Sequence, residues 1–263
     1  MSNDYEVMAV RYATRTTSAS QVYLNFESYG EANRPVVMDY FFWVARNDDR
    51  IVVIDTGFTP AVGEAKGRTM TCPVPQALMR LGVDAAAVET VVITHGHYDH
   101  TGNAGLFENA AFVMSGIDLD FWSGPMARRS QFAHSVEYVD IEYLLELEAE
   151  SRLERMTGER TIAPGISALE VGGHTPGQMI VLVQGRKGPV LLTSDAAHYY
   201  DELSLDRPFL VVADLIGMYE AFDIVNEMTA EKRAALVVGH DPQIFERFPP
   251  LDPADPGFGV LVG

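Results

Sequence analysis

The fold is decided by residues 94–103, which read THGHYDHTGN. This segment holds three of the seven histidines and one aspartate, and it directly follows the apolar run VVI, which is typical of a buried strand. A loop at the end of a strand can direct several side chains toward one point. Neutral imidazole and carboxylate are the ligands that zinc and similar ions prefer. Four such ligands so close in sequence do not easily reach one ion, so the segment predicts two ions that share the loop.

Three further segments each end a predicted strand on a potential ligand. His174 lies in the turn GGHTPG, Asp195 ends the run LLTSD, and His240 lies in VVGHDP. A single histidine after a strand is more often a hydrogen-bonded structural residue, so each segment is weak evidence alone. Together with the first loop they place five histidines and two aspartates at strand ends, which indicates a dinuclear metal site.

The apolar pattern alternates between short β-branched runs and longer helical stretches. Strands are predicted at Glu6–Tyr12, Val36–Ala45, Arg50–Asp55, Thr90–Thr94, Ala111–Ser115, Gly165–Val171, Met179–Gln184, Pro189–Ser194 and Ala235–Gly239. Helices are predicted at Pro75–Leu81, Ile117–Trp122, Ile141–Arg155 and Leu215–Ala230. This order suggests two sheets packed face to face with helices outside, whose halves meet near residues 150–165. We expect one domain over residues 1–263.

Composition limits the partners of the chain. The formal net charge is −18, and the 19 Lys and Arg residues show no dense cluster. This disfavours nucleic acid and anionic membranes and favours a small neutral or weakly charged substrate. No apolar run approaches the roughly 18 residues of a membrane span, and the acidic N-terminus lacks the basic region of a secretion signal, so a cytoplasmic location is expected. Cys72 has no cysteine partner, and ordinary packing is predicted for it. The oligomeric state stays open, with a homodimer as one option.

The combined motifs resemble those of the metallo-β-lactamase superfamily. The His-x-His-x-Asp-His loop, the Gly-His-Thr-Pro-Gly turn, Asp195 and His240 follow the family's order and rough spacing over residues 36–245. The DTG turn that begins at Asp55 is also similar, and we interpret Asp55 as a carboxylate that supports the loop rather than a ligand. The resemblance implies an α/β fold class, the four-layer αβ/βα sandwich, with the site along one edge.

The resemblance also implies a ligand set. The first metal would be held by His95, His97 and His174, the second by Asp99, His100 and His240, with Asp195 bridging both. The implied cofactors are two zinc ions per chain, with Mn, Fe or Co as alternatives.

Within the superfamily the chain is similar to the N-acyl homoserine lactonase-like branch. The segments SDAAHY, from Ser194, and GHDP, from Gly239, carry that likeness. Lactonases of this group place a substrate-orienting tyrosine three residues after the bridging aspartate, whereas this chain has His198 there, followed by Tyr199. His198 is either a donor to the substrate or a hydrogen-bonding residue behind the ligands, and Tyr199 is its rival for the tyrosine's role.

The branch implies a dinuclear metal-dependent hydrolase that opens a lactone, or a similar carboxylic ester, by attack of a metal-bound hydroxide. Asp99, Asp195, His198 and Tyr199 are the candidate catalytic residues. Two alternatives stay open: a thioesterase or other ester hydrolase of the same fold, and a non-catalytic metal-binding member. A member without catalysis would be expected to lack some ligands, and all seven are present here.

Overall fold

The computed structural model describes residues 3–263, which form thirteen strands and nine α-helices. The strands are β1 Glu6–Ser18, β2 Pro35–Arg46, β3 Ile51–Ile54, β4 Thr69–Met70, β5 Thr90–Ile93, β6 Ala111–Ser115, β7 Leu153–Met156, β8 Glu159–Ala163, β9 Ile166–Glu170, β10 Met179–Gly185, β11 Gly188–Leu192, β12 Ala235–Val237 and β13 Gly259–Leu261. The α-helices are α1 Pro60–Ala65, α2 Val74–Arg80, α3 Tyr98–Thr101, α4 Gly116–Ser123, α5 Ser130–Ala133, α6 Tyr138–Ala149, α7 Tyr200–Leu205, α8 Leu215–Lys232 and α9 Ile244–Arg247.

The strands form two sheets. The first has the order β13-β1-β2-β3-β5-β6-β7, with β4 added to β1, and its strands β3, β5, β6 and β7 run parallel to one another. The second has the order β12-β11-β10-β9-β8 and is antiparallel except for the pair β11 and β12. The chain passes from the first sheet to the second between Met156 and Glu159, within the region predicted from sequence.

The two sheets pack face to face and carry helices on their outer faces. Phe41 and Trp43 of β2 lie in one buried cluster with Val181 of β10 and Leu192 of β11. The outer face of the first sheet packs against α2, α4 and α6, and that of the second packs against α8, where Val225 is buried. These layers confirm the predicted αβ/βα sandwich. In residues 3–263, no helix is both long enough and apolar enough to cross a bilayer.

The predicted helix Ile141–Arg155 is wrong at its end. Helix α6 stops at Ala149, Ser151 adopts a left-handed conformation with φ of 60°, and Leu153–Met156 pairs with β6 as an edge strand. Leu153 continues the apolar stripe of the helix, so periodicity alone could not separate a short strand from a last helical turn. The sequence also missed β4, β8 and β13, which are short or lie at the sheet edges. Cys72 is buried in the core, which agrees with its predicted packing role.

Candidate metal centre

The topology brings the histidine- and aspartate-bearing turns to one edge of the sandwich. Strand β5 leads into the loop that begins at His95, and the parallel strand β3 beside it leads into Asp55. In the second sheet, β11 leads into a 3₁₀ turn that contains Asp195, and its parallel neighbour β12 leads to His240. Backbone hydrogen bonds from Met179 to Thr94 and from Asp39 to His240 tie the two sheets together beside these turns. Because parallel strands end at the same edge, the side chains that follow them meet there.

The structure brings the seven predicted ligands together in two buried groups, which we call the metal-ligand cluster. Within each group one ligand atom per residue lies within 4.8 Å of the others. The groups are His95, His97, His174 and Asp195, and Asp99, His100 and His240.

Asp195 faces both groups with different oxygens. Its Oδ2 lies 3.3 Å from His174 Nε2 and 3.7 Å from His95 Nε2. Its Oδ1 lies 3.0 Å from His240 Nε2 and 3.4 Å from His100 Nε2. A carboxylate placed in this way can contribute one oxygen to each of two ions, which is the geometry that a bridging ligand requires.

The outer nitrogens of three imidazoles are held by acceptors outside the cluster. His100 Nδ1 lies 2.7 Å from Asp55, His174 Nδ1 lies 2.8 Å from the carbonyl of Val211, and His240 Nδ1 lies 2.7 Å from the carbonyl of Asp39. Each acceptor places the proton on Nδ1 and leaves the lone pair of Nε2 directed toward the centre.

Two inward nitrogens of the cluster lack a hydrogen-bond partner. The Nε2 atoms of His95 and His100 are buried and unsatisfied, which is costly unless something other than protein occupies the space between them. Burial and neighbouring imidazoles lower the pKa of His95 and His97 well below its usual value, which favours the neutral form that binds metals. The residues present therefore fit two metal ions.

Asp55 supports the first metal loop from beneath. Its Oδ1 accepts a hydrogen bond of 2.8 Å from the backbone of Thr94, and its Oδ2 lies 2.8 Å from Thr94 Oγ1 and 2.7 Å from His100 Nδ1. Asp55 itself has a φ of 61°, a left-handed conformation that aspartate tolerates better than most residues. Its contacts are those of the supporting carboxylate that the sequence predicted.

Asp118 is a second supporting carboxylate, and the sequence analysis missed it. It accepts hydrogen bonds from Gly96 N at 2.7 Å, Gly177 N at 3.1 Å and Trp122 Nε1 at 3.0 Å, and so joins the loops that carry His97 and His174. Burial raises its pKa to about 6, against these hydrogen bonds. It lies on α4, far from both loops in sequence, so no local motif could have identified it.

His198 lies behind Asp195. Its Nε2 is 3.1 Å from Asp195 Oδ2 and its Nδ1 is 3.3 Å from Glu202 Oε1, while its ring stacks on Phe209 with centroids 3.8 Å apart. The side chain is fully buried and does not line the cavity above the cluster. The structure therefore places His198 against the bridging position rather than against the substrate space.

Tyr199 points away from the metal-ligand cluster. Its hydroxyl donates to the carbonyl of Val37 at 3.2 Å, and its ring packs beside Tyr23 with centroids 6.2 Å apart. It is buried in the core and does not line the cavity.

A cavity of about 490 Å³ opens above the cluster, a volume suited to a small molecule. Four ligands reach it: His97, Asp99, His174 and Asp195. Its other lining includes two tyrosines, Tyr40 and Tyr98, and three cations, Arg15, Lys66 and Arg68, none of which the sequence analysis assigned to the site. Tyr98 lies inside the THGHYDHTGN loop and could have been suspected on that ground.

This arrangement matches a known family over most of the chain. The model of the metallo-beta-lactamase superfamily matches residues 37–240, which include all seven cluster residues. The chain belongs to this superfamily. The match confirms the resemblance that the motifs suggested.

Curated relatives within the superfamily are N-acyl homoserine lactonases. The chain is 28% identical to N-acyl homoserine lactonase AiiB of Agrobacterium fabrum over 221 residues, which cover 75% of this chain and 77% of that protein. It is 26% identical to an N-acyl homoserine lactonase from a Bacillus species over 165 residues, or 62% of this chain. That match spans 60% of the length of the Bacillus protein.

Solved structures support the fold. A quorum-quenching N-acyl homoserine lactone lactonase superposes with a TM-score of 0.77 over 92% of this chain and 94% of that chain, at 18% identity. An N-acyl homoserine lactone hydrolase with N-hexanoyl-L-homoserine at its metal centre superposes with a TM-score of 0.77 over 94% of this chain and 97% of that one, at 17% identity. At such identities the likeness establishes the shared architecture.

Proposed function

We propose that this protein is a dinuclear metal-dependent hydrolase that opens a lactone or a similar carboxylic ester. The observation that carries the proposal is Asp195, whose two oxygens face two complete groups of buried ligands at the base of a small-molecule cavity. The curated relatives named N-acyl homoserine lactonases support the choice of a lactone over other substrates of the superfamily.

The donor set favours zinc. Seven nitrogen and oxygen ligands, five of them imidazoles, exceed the four that one tetrahedral zinc takes, so two ions per chain are the simplest occupancy. Manganese, iron or cobalt suit the same donors. Two bound ions would supply Lewis acidity for the ester carbonyl and lower the pKa of water toward roughly 7.

The chain's own residues perform the remaining tasks. Asp55 and Asp118 hold the loops in place, and the carbonyls of Val211 and Asp39 set the tautomers of His174 and His240. Asp195 stays ionised as the shared ligand of the two groups, because although burial raises its pKa, neighbouring imidazoles hold that pKa well below the usual value. The phenols of Tyr40 and Tyr98 line the same cavity and are available to orient a substrate carbonyl.

The test combines metal analysis with a substrate panel. Elemental analysis of the purified protein is expected to give close to two transition-metal ions per chain. The metal-loaded protein is expected to hydrolyse an N-acyl homoserine lactone or a simple γ-lactone faster than matched linear esters and thioesters. A stoichiometry that stays at one metal ion per chain after metal is added back would refute the dinuclear site. Faster turnover of the thioester than of the lactone would show that the protein is a thioesterase rather than a lactonase.

A further inference from the structure

The cavity has an unusual charge for this chain. The protein carries 37 acidic and 19 basic residues, yet Arg15, Lys66 and Arg68 all line the space above the metal-ligand cluster. We call these three residues the cationic wall. The acidic groups that line the same space, Asp99 and Asp195, belong to the metal-ligand cluster, so bound cations would offset their charge.

Two members of the cationic wall lack a carboxylate partner. Lys66 Nζ pairs with Glu137 at 3.0 Å and donates to the carbonyl of His134. No carboxylate of residues 3–263 lies within ion-pair distance of Arg15 or Arg68, and the Nε of Arg15 is buried without a hydrogen-bond partner. A half-buried guanidinium without a counter-ion is costly, and a ligand that supplies one recovers that cost.

The strand pairing brings the two arginines to the same cavity. Strand β4 pairs with β1 through Thr14 and Thr69, and Arg15 and Arg68 are the next residues beyond that last pair. Both side chains line the cavity, so two guanidinium groups face one occupant. Like charges that face one space repel one another, and an anion bound between them offsets that repulsion.

One aromatic ring separates the cationic wall from the metal-ligand cluster. The ring of Tyr40 lies 5.1 Å from that of His240, and Arg68 Cζ lies 5.9 Å from the Tyr40 centroid. Arg68 Nε also donates to Tyr98 Oη at 3.1 Å, which holds the guanidinium toward the cavity side. A substrate that extends past the Tyr40 ring could therefore place one group at Arg68 and its ester carbonyl at the cluster.

We infer that the substrate carries an oxyanion, a carboxylate or a phosphate, which Arg15 and Arg68 bind while the ester lies at the metal-ligand cluster. The planar fork of arginine matches both oxyanions. This inference rests on the proposed hydrolase function, and it narrows the sequence expectation of a neutral or weakly charged substrate to an anionic one.

A matched substrate series tests the charge preference. The metal-loaded protein is given N-succinyl homoserine lactone, whose acyl chain ends in a carboxylate, then its neutral methylamide, and an analogue of equal length that ends in a phosphate. We expect kcat/KM for at least one charged lactone to exceed that of the methylamide by about ten- to hundred-fold, the usual effect of a charge-assisted hydrogen bond. The better of the two charged lactones identifies the oxyanion.

Variants assign the effect to the two arginines. Arg15→Gln and Arg68→Gln are expected to remove most of the preference, through KM, whereas Arg15→Lys and Arg68→Lys retain part of it. Arg160→Gln is the matched control, because Arg160 lies on β8 and pairs with Glu154 outside the cavity. If the lactone of the neutral methylamide is hydrolysed as fast as both charged lactones, or if the Gln variants affect all three equally, the inference is wrong.

Calorimetry keeps this test separate from the proposed function. Ring-opened N-succinyl homoserine should bind the wild-type protein at least about tenfold more tightly than its succinyl methylamide, which keeps the homoserine carboxylate, and the Gln variants should lose that difference. A protein that binds the anion but hydrolyses no ester would refute the hydrolase and retain the anion site. A protein that hydrolyses lactones but binds both ring-opened products equally would refute the anion site and retain the hydrolase.

Discussion

The metal-ligand cluster and the cationic wall lie on two sides of one cavity, and they are built differently. The cluster is buried, each of its residues follows a strand, and the outer nitrogens of three of its five imidazoles are held by two carbonyls and a carboxylate. The wall is half-buried, and its arginines come from β1 and from the residue before β4, without acidic partners. The difference indicates that the cluster is organised before any substrate binds, whereas the wall is completed by the substrate itself.

The largest expected effect is that of Asp195→Asn. The amide keeps the shape of the side chain but removes its charge and one of its two oxygens. One of the two ligand groups therefore loses the Asp195 oxygen that faces it. Turnover should fall at least about 10²-fold and the second metal should be lost. Even the mutation of residues that only hydrogen-bond to metal ligands lowers metal affinity or activity 10- to 100-fold. Elemental analysis and kcat measure both. Two bound metals with full activity would contradict the bridging geometry.

A smaller but more selective effect is expected for Asp55→Asn. Asparagine suits the left-handed backbone, but its amide NH₂ would face either Thr94 N or His100 Nδ1, both of which donate to Asp55. If His100 turns its Nδ1 lone pair to the amide, its proton moves to Nε2 and the metal loses a ligand. We expect metal affinity in the second group to fall about 10- to 100-fold.

The control for this variant is Asp84→Asn. Asp84 is an exposed aspartate that accepts a hydrogen bond from Ala86 N at a 3₁₀ helix start, a position where asparagine is equally suitable. Titration of the metal-free proteins with zinc should give two tight binding steps in the control. In Asp55→Asn one of the two steps should be weakened and the other unchanged. Weakening of both steps to the same extent would show that Asp55 supports the whole loop rather than His100.

The cluster was predictable from sequence, and the wall was not, for a physical reason. Local sequence patterns identify the cluster residues. One loop holds His95, His97, Asp99 and His100, and an apolar run leads to each of His174, Asp195 and His240. Arg15 and Arg68 come together only through the pairing of β1 with a strand of two residues, which no local pattern marks. The directions of His198 and Tyr199 likewise depend on packing against Phe209 and Tyr23.

His198→Ala tests whether the cluster extends behind Asp195. The histidine touches Asp195 and Glu202 but not the cavity, so its loss should misplace the bridging carboxylate rather than remove a substrate contact. We expect kcat to fall about tenfold or less, below the 10²–10³ of a direct donor, with KM and metal content retained. His198→Gln, which fills more of the buried space, guards against simple unfolding. A rise in KM alone would instead indicate substrate contact.

The smallest effect is expected for Tyr199→Phe. The sequence left Tyr199 and His198 as alternatives for the residue that orients the substrate. Its hydroxyl is bonded to the carbonyl of Val37 and lies outside the cavity, so the variant should lose about 1 kcal/mol of folding free energy. The kcat and KM of Tyr199→Phe should stay within about twofold of wild type.

Tyr98→Phe is the matched comparison, since the Tyr98 hydroxyl accepts a hydrogen bond from Arg68 and the Tyr98 ring lines the cavity. That variant should lower kcat/KM for an anionic lactone because Arg68 loses one of its two hydrogen bonds, while thermal unfolding changes little. If Tyr199→Phe impairs catalysis more than Tyr98→Phe, the side chains beside the bridging aspartate contact the substrate, and the division between cluster and wall does not hold.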